Sequence, residues 1–137
     1  MNYNYMSYNS YNGDPNPMNL FGKHLGALPI YRELERRIME KFPKTNIVVY
    51  SDQIAFRYNR NFTLVSFMNL SKAKNLSNFI TVTFQLERPY QDKRILMVSR
   101  DRARIWSHHV ILTSPQEVDG ELMDWVGKAY DYALRRT

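Results

Sequence analysis

The chain has no cysteine. That excludes a disulfide framework, thiolate zinc sites, iron–sulfur clusters and cysteine nucleophiles, and it fits a reducing cytoplasm. A metal would have only histidines and carboxylates to bind, and neither metal nor cofactor is expected. No apolar run approaches the roughly 20 residues of a membrane span, and the N-terminus lacks the basic patch and apolar core of a signal peptide. The protein is therefore expected to be soluble and cytoplasmic, with no membrane partner. Glycine is scarce, at five residues. There is no glycine-rich phosphate loop, no G-x-S-x-G elbow and no H-E-x-x-H, and the carboxylates lack the paired placement of acid–base catalysis. No recognisable catalytic motif is present, which argues against an enzyme.

Acids are also in deficit: 19 Lys and Arg face 13 Asp and Glu across 137 residues, a net +6. The imbalance is unevenly placed. Residues 1–20 hold one acid, Asp14, and no base, so the rest of the chain carries all 19 bases against 12 acids, or +7. The leader 1–19 alternates Asn and Ser with Tyr3, Tyr5, Tyr8 and Tyr11, and Pro15 and Pro17 interrupt any ladder. It is expected to be a flexible Asn/Tyr-rich tail, or a segment that adds a strand to a neighbour. Residues 20–137 are long enough for one domain with its own core.

Within that body, Pro29 suits the first turn of a helix, and Ile30, Leu34 and Ile38 recur four apart, with Phe42 closing the stripe before Pro43. The spacing predicts a helix over 29–42. Its other face pairs Glu33 with Arg37 and Arg36 with Glu40, the pattern of a solvated face and not of a nucleic-acid groove reader. Ile47–Tyr50, Gln53–Tyr58, Asn61–Met68, Phe79–Leu86 and Ile105–Thr113 read as strands, with a tight turn at Asn59-Arg60 because Asn tolerates positive φ. Ile80, Val82, Phe84 and Leu86 alternate with the outward Thr81, Thr83 and Gln85, which favours an antiparallel sheet with one covered face. Residues 92–104 are charged and weakly periodic, either loop or short helix. Ser114-Pro115-Gln116-Glu117 has the form of a capping box, so the closing helix is expected to start there with Ser114 as its N-cap. Val118, Leu122, Trp125 or Val126, Ala129, Tyr132 and Ala133 then form its apolar stripe. The fold class expected is α+β: a two-layer sandwich of an N-terminal helix, a four- or five-stranded antiparallel sheet and a C-terminal helix on one face.

Adjacent residues on a strand point to opposite faces, so His108 and His109 cannot chelate one metal together; one is expected buried and the other exposed. Tyr50, Phe56, Tyr58, Phe62 and Phe67, interleaved with Arg57 and Arg60, have the chemistry of a base-stacking surface, although alternate aromatics on strands mostly fill cores. Lys93, Arg94, Arg100, Arg102 and Arg104 add a second basic patch, tempered by Asp92 and Asp101.

Ser51-Asp52-Gln53-Ile54-Ala55-Phe56-Arg57, Phe62, Leu86-Glu87-Arg88, Trp106-Ser107-His108-His109 and Ser114-Pro115-Gln116-Glu117-Val118-Asp119, followed by Trp125 and Ala129-Tyr130, resemble the bacterial domain of unknown function family 5655 over about residues 20–136. The helix, sheet, helix order is also similar in outline to double-wing domains. The resemblance implies no activity. It implies that Gln53, Arg57, Arg88, His108 and His109 form a shared binding surface. The function expected is that of a non-enzymatic binding or accessory module contacting nucleic acid or another anionic partner. The alternative is a small enzyme with an anion pocket made by Gln53, Arg57, Arg88 and a histidine.

Overall fold

The computed structural model describes residues 8–10, 20–22, 24–68, 70 and 78–136, the first three by backbone alone. Ile30, Leu34 and Ile38 are buried along helix α1 (Leu28–Lys41), which is entered through a 3-10 turn, Leu25–Ala27. Its outer face is held by Arg36–Glu33 at 2.8 Å, Arg36–Glu40 at 3.5 Å and Arg37–Glu33 at 4.0 Å. Strands β2 (Asn46–Val49), β3 (Gln53–Tyr58), β4 (Arg60–Ser66), β5 (Ile80–Leu86), β6 (Met97–Arg102) and β7 (Ile105–Leu112) form an antiparallel set, and helix α2 (Gly120–Arg135) closes the chain. Within the leader, Tyr8–Ser10 is a further strand, β1, parallel to β2, and the sheet order is β1-β2-β3-β4-β5-β7-β6. The remainder of the leader lies outside the described residues.

The α+β class stands, with both helices on one face of the sheet. Tyr31 of α1 stacks on Phe56 at 6.3 Å, and Trp125 of α2 stacks on Phe84 at 5.4 Å. Ile47, Ile54, Val65, Val82, Val110 and Leu112 line the sheet side of this core.

Three expectations need correction. The antiparallel strands number six, not four or five, because residues 97–102 of the undecided 92–104 stretch pair with β7. β6 is an edge strand whose charged residues 100–102 are exposed; such edges carry charge and show no alternation. Second, α2 does not start at Ser114. Pro115–Glu117 is an isolated 3-10 turn, Ser114 makes no side-chain cap bond, and Glu117 reaches back to the Thr113 N–H at 2.5 Å. The N-cap is Asp119, whose carboxylate accepts from the Leu122 N–H at 3.0 Å. Third, Thr81 and Thr83 do not face solvent. They are buried because β5 is a central strand, and their hydroxyls bond the Met68 carbonyl at 3.2 Å and His109 Nδ1 at 2.8 Å.

No helix among the described residues is long and apolar enough to cross a membrane.

Candidate anion-binding site

The antiparallel order brings the β3–β4 turn, the end of β5 and the β6–β7 turn to one end of the sheet. Asn59 adopts φ 63°, the left-handed conformation that Asn tolerates, and lets Tyr58 pair with Arg60 across a tight turn. A bulge follows. Phe56 pairs with Thr63 and Arg57 with Asn61, leaving Phe62 as the extra residue. Phe62 packs edge-on to Phe42 and Tyr130 on the helix side, so the tip beyond it is bent and presents Arg57, Arg60 and Asn61. In the β6–β7 turn, Arg100 donates to the carbonyls of Arg102 at 3.3 Å and Ala103 at 3.0 Å and lies over Trp106.

The last turn of α2 ties both tips together. The Tyr132 hydroxyl donates to the Arg104 carbonyl, Arg136 Nη2 donates to the Asn61 carbonyl at 2.9 Å, and Arg60 Nε approaches the Arg136 carbonyl at 3.4 Å.

Two adjoining clefts result. The larger, about 410 Å³, is lined by Arg60, Arg102, Arg104, Arg135 and Arg136 with Glu87, Ile105 and Tyr132. The smaller, about 240 Å³, lies between Arg57, Asn61, Gln85 and Asp101. Arg60, Arg102, Ile105 and Arg136 belong to both and form the wall between them. Six arginines therefore face two carboxylates. Glu87 is 3.7 Å from Arg135, and Asp101 accepts from Ser107 at 2.6 Å and Gln85 at 3.0 Å. Among the described residues, Arg57, Arg60, Arg102, Arg104 and Arg136 have no carboxylate within 4.0 Å. Burial pushes the Arg136 guanidinium below its ordinary pKa, and Arg60 and Arg102 press the same way against an opposing pull from Tyr132. Its Nε is buried with no hydrogen-bond partner among the described residues. A guanidinium stays charged in such a setting. Like charges held together without counter-ions make a strongly positive concavity that attracts anions.

The model of a family described as "Domain of unknown function (DUF5655)" matches residues 20–133. The chain belongs to the DUF5655 family. No curated protein and no solved structure matches it. The matched stretch ends before Arg135 and Arg136, so the helix wall of the larger cleft lies partly beyond the stretch this DUF5655 domain shares with its family model.

The DUF5655 residues expected to share a surface are dispersed. Gln53 and Arg57 sit four residues apart on β3, about 13 Å at the rise of a strand. Gln53 lines a separate cavity with Leu20, His24, Asp52, Ser66 and Phe67 at the opposite end of the sheet from the arginines. Arg57 lines the smaller arginine cleft. Arg88 is exposed just past β5, at the arginine end but outside both clefts. β4 and β5 separate β3 from the strand of His108 and His109, roughly 14 Å by inter-strand spacing. The histidines do point to opposite faces, but both are buried, at 0% and 4% exposure, where one was expected to be exposed. His108 stacks on Phe84 at 5.3 Å within the core. His109 is held on the other face between Thr83 and Ser99 of the edge strand that the sequence did not reveal. Burial pushes both histidines below their ordinary pKa; Asp101 pulls His109 the other way without reversing it.

The residues missed are Arg135, Arg136, Asn61, Gln85 and Asp101. Arg135 and Arg136 stand at the C-terminal end of α2, where the helix dipole favours cations whether or not they bind anything. Among the described residues no group of three or more His, Asp or Glu is placed to hold a metal ion.

Proposed function

We propose that this chain is a non-enzymatic module that binds a polyanionic ligand at the arginine end of its sheet. One observation supports the reading above others: five guanidiniums from the β3–β4 hairpin, the β6–β7 hairpin and the end of α2 face two adjoining clefts without a carboxylate within ion-pair distance among the described residues. The alternative needed Gln53, Arg57, Arg88 and a histidine in one pocket, and those positions lie on well-separated parts of the sheet. The lack of cysteine suits a reducing compartment, and we place the module in the cytoplasm on that ground.

Titration of the purified chain with a single-stranded oligonucleotide and with tripolyphosphate at two salt concentrations tests the reading. Affinity should fall steeply with salt, because each phosphate contacted releases condensed counter-ions. Arg60→Met and Arg102→Met should each weaken binding tenfold or more, whereas Lys93→Met, an equal change of charge outside the clefts, should leave it within twofold. Equal losses in all three variants would reduce the site to net charge and end the proposal.

A further inference from the structure

We infer that the polyanion is a single-stranded nucleic acid, bound with one phosphodiester on the arginine wall and a nucleotide in each flanking cleft, the smaller cleft selecting a base that bears an exocyclic amino group. This rests on the anion-binding reading above and adds the class of ligand.

Arg60, Arg102 and Arg136 belong to both clefts, so a phosphate seated there has space on either side of it. A free phosphate would use the wall and leave two cavities of about 410 and 240 Å³ unfilled. A phosphodiester bears a substituent on each side, one for each cleft. Arg57, which lines the smaller cleft alone, and Arg104 and Arg135 in the larger are then available for the next phosphates along the strand.

The linings of the two clefts differ, and the difference bears on the bases. A cleft built for phosphate alone has no use for an acid, yet Asp101 stands in the smaller one. Its Oδ2 is taken by Ser107 and Gln85, and Oδ1 has no hydrogen bond among the described residues. Gln85 donates one of its two amide N–H groups to Asp101, and its carbonyl oxygen is an acceptor. Both residues line the smaller cleft, which therefore carries two acceptor oxygens. Cytosine, adenine and guanine present amino donors there, and thymine and uracil do not. The acid of the larger cleft, Glu87, is paired with Arg135 at 3.7 Å, and Ala103 and Tyr132 are found in that cleft alone, so it asks less of its base.

Duplex nucleic acid does not suit this geometry, since clefts between three element tips admit only splayed bases. Tyr132 is buried, with Arg135 and Arg136 over its ring at 5.4 and 5.0 Å, so the planar surfaces offered to bases are guanidinium planes.

The test is a fluorescence-anisotropy competition with oligo-dC, oligo-dT of the same length, a duplex and tripolyphosphate. Oligo-dC should bind several-fold tighter than oligo-dT and at least tenfold tighter than the duplex. Asp101→Asn should bring the dC/dT ratio close to one even where total affinity rises from loss of a negative charge. Gln85→Met, which leaves the Asp101–Ser107 bond in place, should lower the same ratio. If oligo-dC, oligo-dT and tripolyphosphate compete equally per charge, or the duplex matches the single strands, the nucleic-acid inference is overturned and the anion site stands. If no anion binds, both fall.

Discussion

The backbone N–H of Tyr90 donates to Nε2 of His108 at 3.0 Å, and Nδ1 of the same ring faces the Trp106 carbonyl at 3.0 Å. A backbone N–H only donates and a carbonyl only accepts, so the ring is the neutral Nδ1–H tautomer. A second proton would set Nε2–H against the Tyr90 N–H and release the loop that leads into β6.

Acid should therefore destabilise the fold well above the carboxylate range. Both histidines have folded-state pKa values pushed below the ordinary 6.5 by burial. The unfolded chain takes up these protons as pH falls through about 6.5 while the folded chain does not, so stability is full above that pH and declines below it until the folded pKa values are reached. The limiting slope is about 1.4 kcal/mol per pH unit for each histidine. In His108→Gln the amide oxygen still accepts from Tyr90 without titrating. Urea midpoints at pH 7 and pH 5 should show wild type well ahead at the higher pH and the gap narrowing at the lower. Parallel slopes would show that His108 does not resist protonation.

The start of α2 is anchored by Asp119, which caps Leu122 and receives Arg94 Nη1 at 2.9 and 3.1 Å. Arg94 also donates to Glu117 O at 2.6 Å and lies over Trp125. Asp119→Ala should cost about 0.5–2 kcal/mol, mostly through the cap, since the ion pair is partly exposed and adds little. Asp119→Asn keeps a capping oxygen and should cost less. Ser114→Ala should change stability by no more than about 0.5 kcal/mol, as Ser114 caps nothing. A larger loss at Ser114 than at Asp119 in urea denaturation would move the functional helix start back to the S-P-x-E turn.

Elements with local causes were legible in the sequence. The Ile30, Leu34, Ile38 stripe marks α1, the alternation of Ile80 to Leu86 marks β5, and Asn59 marks its turn, because each rests on periodicity or on one residue's backbone preference. β6 was not legible, since an edge strand such as Met97–Arg102 keeps charge on both sides and has no apolar face to show. That omission also hid His109. Alternation puts it on the face opposite His108, and its contacts with Thr83 and with Ser99 of the unseen strand accompany its burial. The α2 boundary was misplaced because two capping sequences follow one another within six residues, and tertiary anchoring by Arg94 selects the second. Arg57, Arg60, Arg102 and Arg104 were visible as basic residues, but their meeting with Arg136 depends on strand order, which composition does not encode.

Thr63 and Arg136 each bury a polar atom that has no partner among the described residues, with different consequences. Thr63 lies in the core between Phe56 and Phe84 in the neighbouring strands. Thr63→Val keeps the shape, suits a strand and removes an unpaired hydroxyl, so it should add about 1 kcal/mol. Anion affinity should not change. Arg136→Met removes a repelled, partly desolvated charge but also the bond to Asn61, and these effects offset to within about 0.5 kcal/mol. Its stability in urea should stay near wild type while the stabilisation that added oligonucleotide confers on wild type disappears, since only a ligand that binds the folded state shifts the midpoint. Should oligonucleotide raise the midpoint of Arg136→Met as much as that of wild type, Arg136 is a structural residue and the anion seat lies elsewhere.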